Sequence, residues 1–179
     1  MSDADLVELA RDVNSRCRLR GSFTLRSGIV AEEYFDKYLF ESDPVLLRRV
    51  ADRMADLVPR DTELLGGLEL GGVPLVAVLS QVTGLPAVFI RKQAKAYGTR
   101  RVAEGGEVGG RRVVLVEDVI TTGGAVVAAA GALRGDGGLV GTVICVVDRT
   151  EQGGGLLADH GITVKAVFTK RVLDAVDVP

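Results

Sequence analysis

Residues 111–127 read RRVVLVEDVITTGGAVV, so two acids and a Thr-Thr-Gly-Gly turn stand between two apolar runs. A strand followed by such a turn and a helix places backbone N–H groups around an anion at the helix N-terminus. Glu117 and Asp118, at the carboxyl end of the strand, would repel a bare phosphate. They fit a ligand that also carries hydroxyls or a divalent cation, and a sugar phosphate provides both. The alternative is an Asp118 helix cap beside a charged strand end.

Two other phosphate-binding motifs are excluded for this turn. No Lys follows the glycines, as a Walker A loop requires, and the dinucleotide fingerprint G-x-G-x-x-G is absent. The predicted cradle therefore depends on the threonine hydroxyls, which add donors, and on the glycines, which let the backbone approach the ligand closely.

A strand–helix alternation that begins at residue 63 must position this turn. Strands that are apolar throughout are buried on both faces, which is typical of a parallel sheet covered by helices. The alternation therefore predicts an α/β fold with five central strands. The predicted strands lie in ELLGGLEL (63–70), AVFIRK (87–92), VVLVED (113–118), GTVICVVD (141–148) and ITVKAVF (162–168).

The N-terminal part of the chain predicts two helices separated by a short extended piece, GSFTLRSG (21–28). Asp43-Pro44 supplies a cap and an N1 proline for the second helix. The first helix is predicted from an apolar stripe at helical spacing. That stripe comprises Leu6, Leu9, Val13 and Cys17.

Length and composition limit the class of protein. The 179 residues predict one domain, residues 1–179. A net charge of −2 argues against general binding to nucleic acid or to a membrane surface. The chain has no long apolar run that would span a membrane and no signal-peptide pattern at its start. Cys17 and Cys145 are predicted to be buried free thiols, which fits a reducing cytoplasm.

The combination of a hydrophobic run, Glu-Asp, small residues and Thr-x-Gly-Gly resembles the phosphoribosyl diphosphate (PRPP) motif of type I phosphoribosyltransferases. The resemblance implies a mostly parallel five-stranded sheet flanked by helices, a small N-terminal hood (residues 1–40 with C-terminal residues) and a flexible catalytic lid. It also implies that the two acids contact the ribose hydroxyls while the turn binds the 5-phosphate. The implied PRPP-binding residues are Glu117, Asp118, Val119, Ile120, Thr121, Thr122, Gly123, Gly124 and Ala125.

The segment RKQAKAYGTRR, residues 91–101, carries five basic residues and no acid. On its own it fits a solvated charged loop. Beside a sugar-phosphate site it predicts a mobile lid, residues 93–110, that closes over pyrophosphate, neutralises charge on the leaving group and excludes water. Lys95 is the predicted catalytic residue of this lid. The lid residues predicted to contact PRPP are Arg91, Lys92, Lys95 and Tyr97.

The order R-K-x-x-K-x-[HY]-G, before the PRPP motif, resembles the catalytic loop of the orotate phosphoribosyltransferase family. FTLRSG followed by Tyr34-Phe35-Asp36 resembles its N-terminal pyrimidine-binding segment, and Asp148-Arg149 followed by TEQGG resembles its Asp-Arg-x-x-x-Gly element. The aromatic pair would pack against a pyrimidine, Arg26 would supply charge for phosphate or pyrophosphate, and Arg149 would pair with a carboxylate. The alternatives are a core Phe35 and a surface Arg149. The predicted orotate-binding residues are Tyr34, Phe35, Thr121 and Arg149.

The resemblance implies a Mg²⁺-dependent glycosyltransferase of pyrimidine (UMP) biosynthesis. Orotate and PRPP would give orotidine 5-monophosphate and pyrophosphate. Mg²⁺ would be held through PRPP, so no direct protein ligand is assigned to it. Asp118 is a second catalytic candidate, either orienting a hydroxyl or accepting a proton. The resemblance further implies a cytoplasmic homodimer in which each lid reaches the neighbouring site.

Two departures from the family pattern keep other functions open. Tyr97 stands where many relatives have His, and Leu70-Gly71 stands where many have Tyr-Lys, which removes a cationic contact to pyrophosphate. One alternative is a phosphoribosyltransferase for another nucleobase. The other is a non-catalytic regulator that senses PRPP with the same fold.

Overall fold

The fold was obtained as a computed structural model, and it describes residues 3–24, 28–93, 102–150 and 155–176. In these ranges the chain forms a hairpin, a central sheet and helices on both faces of that sheet. The hairpin strands are β1 (Arg18–Thr24) and β2 (Val30–Phe35), which pair antiparallel. The sheet strands are β3 (Leu64–Leu68), β4 (Ala87–Ile90), β5 (Ala103–Glu104), β6 (Arg112–Ile120), β7 (Leu139–Asp148) and β8 (Thr163–Thr169).

The central sheet has the order β5-β4-β3-β6-β7-β8 within the described ranges. All neighbouring pairs are parallel except β4 with β5. The predicted α/β fold with five parallel strands is therefore confirmed. The structure adds β5 at the edge, a strand of two residues that is too short to produce a sequence pattern.

The helices begin and end where local sequence signals place them. Asp43 caps the third helix by accepting hydrogen bonds from the N–H groups of Val45 and Leu46, with Pro44 at its first position. Gly84 ends the fourth helix in the left-handed conformation, with φ of 73°. The helices are α1 (Asp3–Cys17), α2 (Tyr38–Glu41), α3 (Pro44–Ala55), α4 (Gly72–Thr83), α5 (Gly124–Gly135), α6 (Gly155–Asp159) and α7 (Lys170–Ala175).

Two hydrophobic clusters cover the two faces of the sheet. On β6, Val114 and Val116 pack with α1, α3 and α4, whereas Val113 and Leu115 pack with α5 and α6. This alternation follows from the two-residue period of a strand, and it explains why β6 is apolar from Val113 to Val116. Asp118 and Ile120 beyond Glu117 are also buried, so the motif acids lie at the edge of the core and not outside it.

The hairpin is tied to the C-terminal helix. Arg18 on β1 contacts Asp174 on α7 at 2.7 Å and Glu33 on β2 at 3.3 Å. Neither β2 nor α7 was expected from the sequence, because β2 (VAEEYF) is mostly exposed and α7 is only six residues long. A hood built from residues 1–40 and the C-terminal residues stays a prediction, and this contact supports it.

The second half of the predicted lid is packed. Ala103 pairs with Ile90 on the edge of the sheet, and both Ala103 and Val108 are buried. These two buried residues are isolated, so they produce no apolar periodicity in residues 93–110. Their burial could therefore not be predicted from the sequence. The part of the lid that carries Lys95 and Tyr97 lies outside the described residues.

Both thiols are buried and free, as predicted. Burial raises the pKa of Cys17 to about 12, so it is an inert core group. None of the helices in the described ranges combines the length and the apolar composition needed to cross a bilayer.

Candidate active site

The turn after β6 leads directly into α5. Thr121 and Thr122 are exposed at the end of the strand, and Gly124 and Ala125 are exposed at the start of the helix. Gly123 caps the helix without any side-chain hydrogen bond, so the first N–H groups of α5 are left for a ligand. These N–H groups and the two hydroxyls suit an oxyanion such as phosphate.

Gly123 is required by geometry. Its φ of 80° lies in the left-handed region, and a Cβ built on it would lie 2.8 Å from Cγ of Leu157. Any other residue would be strained and would also collide with α6. The turn is therefore shaped by its contact with α6 as well as by its own sequence.

The two acids of the motif occupy different environments. Asp118 is fully buried (0% exposed), and its Oδ1 accepts a 2.5 Å hydrogen bond from the N–H of Val119. Glu117 is partly buried, and its Oε2 has no hydrogen-bond partner within the part of the chain that is described. Burial, followed by the charge of Asp118, raises the pKa of Glu117 to about 9. Glu117 therefore carries a proton at neutral pH.

Two charged residues that the sequence did not suggest complete this cluster. Nζ of Lys37 lies 2.5 Å from Oδ2 of Asp118. Glu41 on α2 is buried, and burial followed by the charge of Asp118 raises its pKa to about 8. Both residues lie far from Asp118 in sequence, in a segment (KYLFE) without recognisable site spacing. Only a charged pair flanking an apolar triplet could have drawn attention to them.

The β3–α4 turn lies against Asp118. A Cβ on Gly71 would lie 1.4 Å from Oδ2 of Asp118, and one on Gly72 would lie 2.3 Å from the carbonyl oxygen of Val116. Gly71 also caps α4 without a side-chain hydrogen bond, while Leu70 is exposed. The two glycines thus serve close packing on β6, and they leave backbone N–H groups at the start of α4 for an anion.

The basic segment leaves the sheet next to this turn. Arg91 and Lys92 are exposed at the end of β4, where the N–H of Lys92 donates to Oε1 of Glu69 at 2.8 Å. The N–H of Arg91 donates to the carbonyl of Val102 at 2.9 Å, so both ends of the connection lie together. Lys95, Tyr97 and Arg26 fall outside the described residues.

A cavity of about 380 Å³ opens between the hairpin, β7 and α7. It brings together Tyr34, Phe35 and Arg149, which the sequence predicts as base-binding residues. The ring centroids of Phe23 and Tyr34 are 5.6 Å apart, so Phe23 packs against one face of the exposed Tyr34 ring. The cavity is also lined by Arg18, Ala31, Glu33, Val147, Lys170, Leu173 and Asp174.

Arg149 is exposed at the rim of this cavity. Asp148 Oδ1 accepts hydrogen bonds from the N–H and the hydroxyl of Thr150, which fixes the turn around Arg149. The two other basic residues of the cavity, Arg18 and Lys170, both bind Asp174. Within the described ranges the Arg149 guanidinium has no such acidic partner, so it is the group most open to a ligand carboxylate.

The structure therefore brings the predicted residues into one region at the carboxyl edge of the sheet. Thr121 follows Ile120, which pairs with Asp148 across β6 and β7, so the phosphate turn and Arg149 are neighbours. The predicted sites of sugar phosphate and base thus adjoin. The described residues of this region are Tyr34, Phe35, Arg91, Lys92, Glu117, Asp118, Val119, Ile120, Thr121, Thr122, Gly123, Gly124, Ala125 and Arg149.

Comparison with known proteins agrees with this arrangement. The family model of the phosphoribosyl transferase domain matches residues 49–168. An orotate phosphoribosyltransferase of Nocardioides sp. is 59% identical over 167 residues, covering 93% of this chain and 93% of that protein.

Solved structures give the same result. The orotate phosphoribosyltransferase of Mycobacterium tuberculosis H37Rv in complex with Fe(III) dicitrate has a TM-score of 0.84 at 34% identity, covering 94% of this chain and 98% of that one. The protein of that name in complex with PRPP has a TM-score of 0.80 at 30% identity, covering 95% and 99%. Sequence similarity and fold extend over nearly the whole chain and include the strand, turn and helix of the PRPP motif. The chain therefore belongs to the orotate phosphoribosyltransferases, within the type I phosphoribosyltransferase family.

Proposed function

We propose that the chain transfers the 5-phosphoribosyl group of PRPP to orotate, giving orotidine 5-monophosphate and pyrophosphate. The observation that carries this proposal is the cavity with Tyr34, Phe35 and Arg149 directly beside the phosphate turn. An aromatic wall suits a flat pyrimidine, and a guanidinium suits the carboxylate that distinguishes orotate from uracil.

The sugar phosphate would lie across the end of β6. The 5-phosphate would accept hydrogen bonds from Thr121, Thr122 and the first N–H groups of α5. Glu117, protonated at neutral pH, would donate to one ribose hydroxyl, while Asp118 would accept from another. These contacts would hold the ribose with its reactive carbon toward the base cavity, which lowers the entropic part of the barrier.

The diphosphate leaving group would lie between the two glycine-containing turns and the basic segment. Arg91 and Lys92 stand exposed at the start of that segment. Lys95, Tyr97 and Arg26 are proposed as further contacts to PRPP, with Lys95 contributing most to the rate. Positive charge placed there stabilises the charge that develops on pyrophosphate as the C1–oxygen bond breaks.

Mg²⁺ is proposed as the cofactor, and the chain has few groups that could bind it in the absence of PRPP. Across the described ranges no three acidic, His or Cys side chains gather as a metal cage, and Lys37 already holds Asp118. Glu117, whose pKa burial raises to about 9, is a poor ligand for a hard cation in the ligand-free chain. The metal would therefore be bound mainly by PRPP oxygens, where it would offset charge on the leaving group.

The assembly is proposed to be a cytoplasmic homodimer of single-domain subunits in which residues 91–101 reach the neighbouring site. Mixing two variants that are each nearly inactive at low orotate concentration tests lid sharing. Lys95→Ala and Arg149→Ala subunits, combined after partial unfolding, should regain about a quarter of the activity if mixed dimers form one intact site. Activity that stays at the level of the separate variants would contradict shared sites.

Orotate consumption tests the reaction itself. The loss of orotate absorbance is followed after PRPP and Mg²⁺ are added to the purified protein, with uracil, guanine and adenine as competing bases. Turnover of orotate alone is expected. Turnover of another base but not orotate would favour a different phosphoribosyltransferase, and PRPP binding without any turnover would favour a PRPP-sensing regulator.

A further inference from the structure

Lys37 is a charged residue that the reaction described above does not use. Its side chain is 30% exposed, and its ammonium contacts Oδ2 of the fully buried Asp118 at 2.5 Å. Burial lowers the pKa of Lys37, but the hydrogen bond and charge of Asp118 outweigh burial and raise it. Lys37 therefore remains a cation and serves as the counter-ion inside the site.

The neighbours of Lys37 are acidic. Glu117 from β6, Asp118 from β6 and Glu41 from α2 all interact electrostatically with its ammonium. Asp36 acts on Glu41, and the ammonium also lies 5.4 Å from the ring centroid of Tyr38. With Glu41 and Glu117 protonated, one cation faces one carboxylate, and the buried cluster is neutral.

Both oxygens of Asp118 are held in place. Oδ1 accepts from the N–H of Val119, Oδ2 faces Lys37, and Gly71 leaves no space on the remaining side. A carboxylate with these partners keeps its orientation, which suits a hydrogen-bond acceptor.

Lys37 also lies next to the base-binding strand. It follows Tyr34 and Phe35, which end β2, and it precedes α2, which carries Glu41. The N–H of Asp36 donates to the carbonyl of Cys17 at 2.8 Å, which anchors this corner to α1.

We propose that Lys37 is a positioning residue for this reaction: its ion pair with Oδ2 fixes the side chain of Asp118 at the end of β6, beside the proposed sugar site. The proposal rests on the proposed function. Asp118 acts in it as an acceptor for a ribose hydroxyl. Glu41 completes the cluster as a neutral partner.

A mutant cycle tests this role. Lys37→Met is expected to raise KM for PRPP at least tenfold with a smaller change in kcat, because Asp118 then lacks the ion-pair partner that fixes its side chain. Combined with Asp118→Asn, it should add little to the loss caused by Asp118→Asn alone. Lys37→Arg should restore most of the affinity.

The control is Lys165→Met. Lys165 is also a partly buried lysine, and it donates to the carbonyl of Leu57 away from the site. Equal effects of Lys37→Met and Lys165→Met, an unchanged KM for PRPP in Lys37→Met, or additive losses in the double variant would each overturn the proposal. If Lys37→Met does not fold, Lys37→Gln provides the same measurements. Absence of orotate turnover by the parent protein would instead refute the proposed function.

Discussion

The backbone N–H of Arg149 donates to the carbonyl of Ile120 at 2.8 Å, so the residue at the rim of the proposed base cavity is fixed to the strand that precedes the Thr-Thr-Gly-Gly turn. This single bond joins β6 and β7 at their carboxyl ends. If base and sugar phosphate bind as proposed, their separation is set by the spacing of two neighbouring strands, which is about 4.8 Å in any sheet. Transfer between the two ligands requires such a short separation.

Arg149 should determine affinity for orotate. Arg149→Gln removes a charge-assisted, two-pronged hydrogen bond worth roughly 1.5–3 kcal/mol, so KM for orotate should rise about 10- to 100-fold. PRPP binding, measured by calorimetry, should change little. Arg171→Gln, on the exposed face of α7, is the control and should behave like the parent. Equal losses for orotate and PRPP would show that Arg149 does not read the base.

Gly123 and Gly131 should respond in opposite ways to the same change. Gly123→Ala places a Cβ against Leu157 at positive φ, so the free energy of unfolding should fall by roughly 2 kcal/mol and PRPP binding should weaken. Gly131 lies inside α5 with open space around it, so Gly131→Ala should raise stability by roughly 0.5–1 kcal/mol. Denaturant unfolding measures both. A neutral Gly123→Ala would contradict the described turn.

Stability without ligand should fall as pH rises. The pKa values of Glu41 and Glu117 are raised from 4.5 to about 8 and about 9, first by burial and then by Asp118. The folded chain therefore binds more protons than the unfolded chain, and this contribution is full below about pH 4.5 and lost as pH passes through 8 and 9.

Thermal unfolding across this range measures that slope, which is at most about 1.4 kcal/mol per pH unit for each group. Glu117→Gln stays neutral and should flatten the fall, whereas Glu32→Gln on the exposed side of β2 should leave it unchanged. The parent protein could instead become more stable between neutral and alkaline pH, and Glu117→Gln could show the same pH dependence. That result would contradict the conclusion that Glu41 and Glu117 are neutral in the folded chain.

Metal removal should separate catalysis from folding. Chelation by EDTA is expected to abolish turnover, because the diphosphate charge is then not offset. The unfolding midpoint of the ligand-free protein should not move, since the chain holds no metal cage of its own in the described ranges. A lower unfolding midpoint of the ligand-free protein in EDTA would show that the chain itself holds a metal ion. It would contradict the proposal that Mg²⁺ binds together with PRPP.

Strand–helix alternation and the PRPP motif predicted most of what the structure contains. The five parallel strands follow from continuous apolar runs, and the turn after β6 follows from Thr-Thr-Gly-Gly. The Lys37–Asp118 contact could not be predicted, because the pairing depends on where the hairpin folds back onto the sheet. The same holds for β2 and β5, since exposed or very short strands carry no hydrophobic period.

The contact between Arg91 and Val102 makes the basic segment replaceable without change to the sheet. The N–H of Arg91 donates to the carbonyl of Val102, and the N–H of Lys92 donates to Oε1 of Glu69. The free energy of closing a loop grows only slowly with its length, so segments of other lengths can be fitted between the same two anchors without shifting the register of β4 or β5. Designed variants can thus carry a different segment at this edge while the sheet beneath keeps its stability.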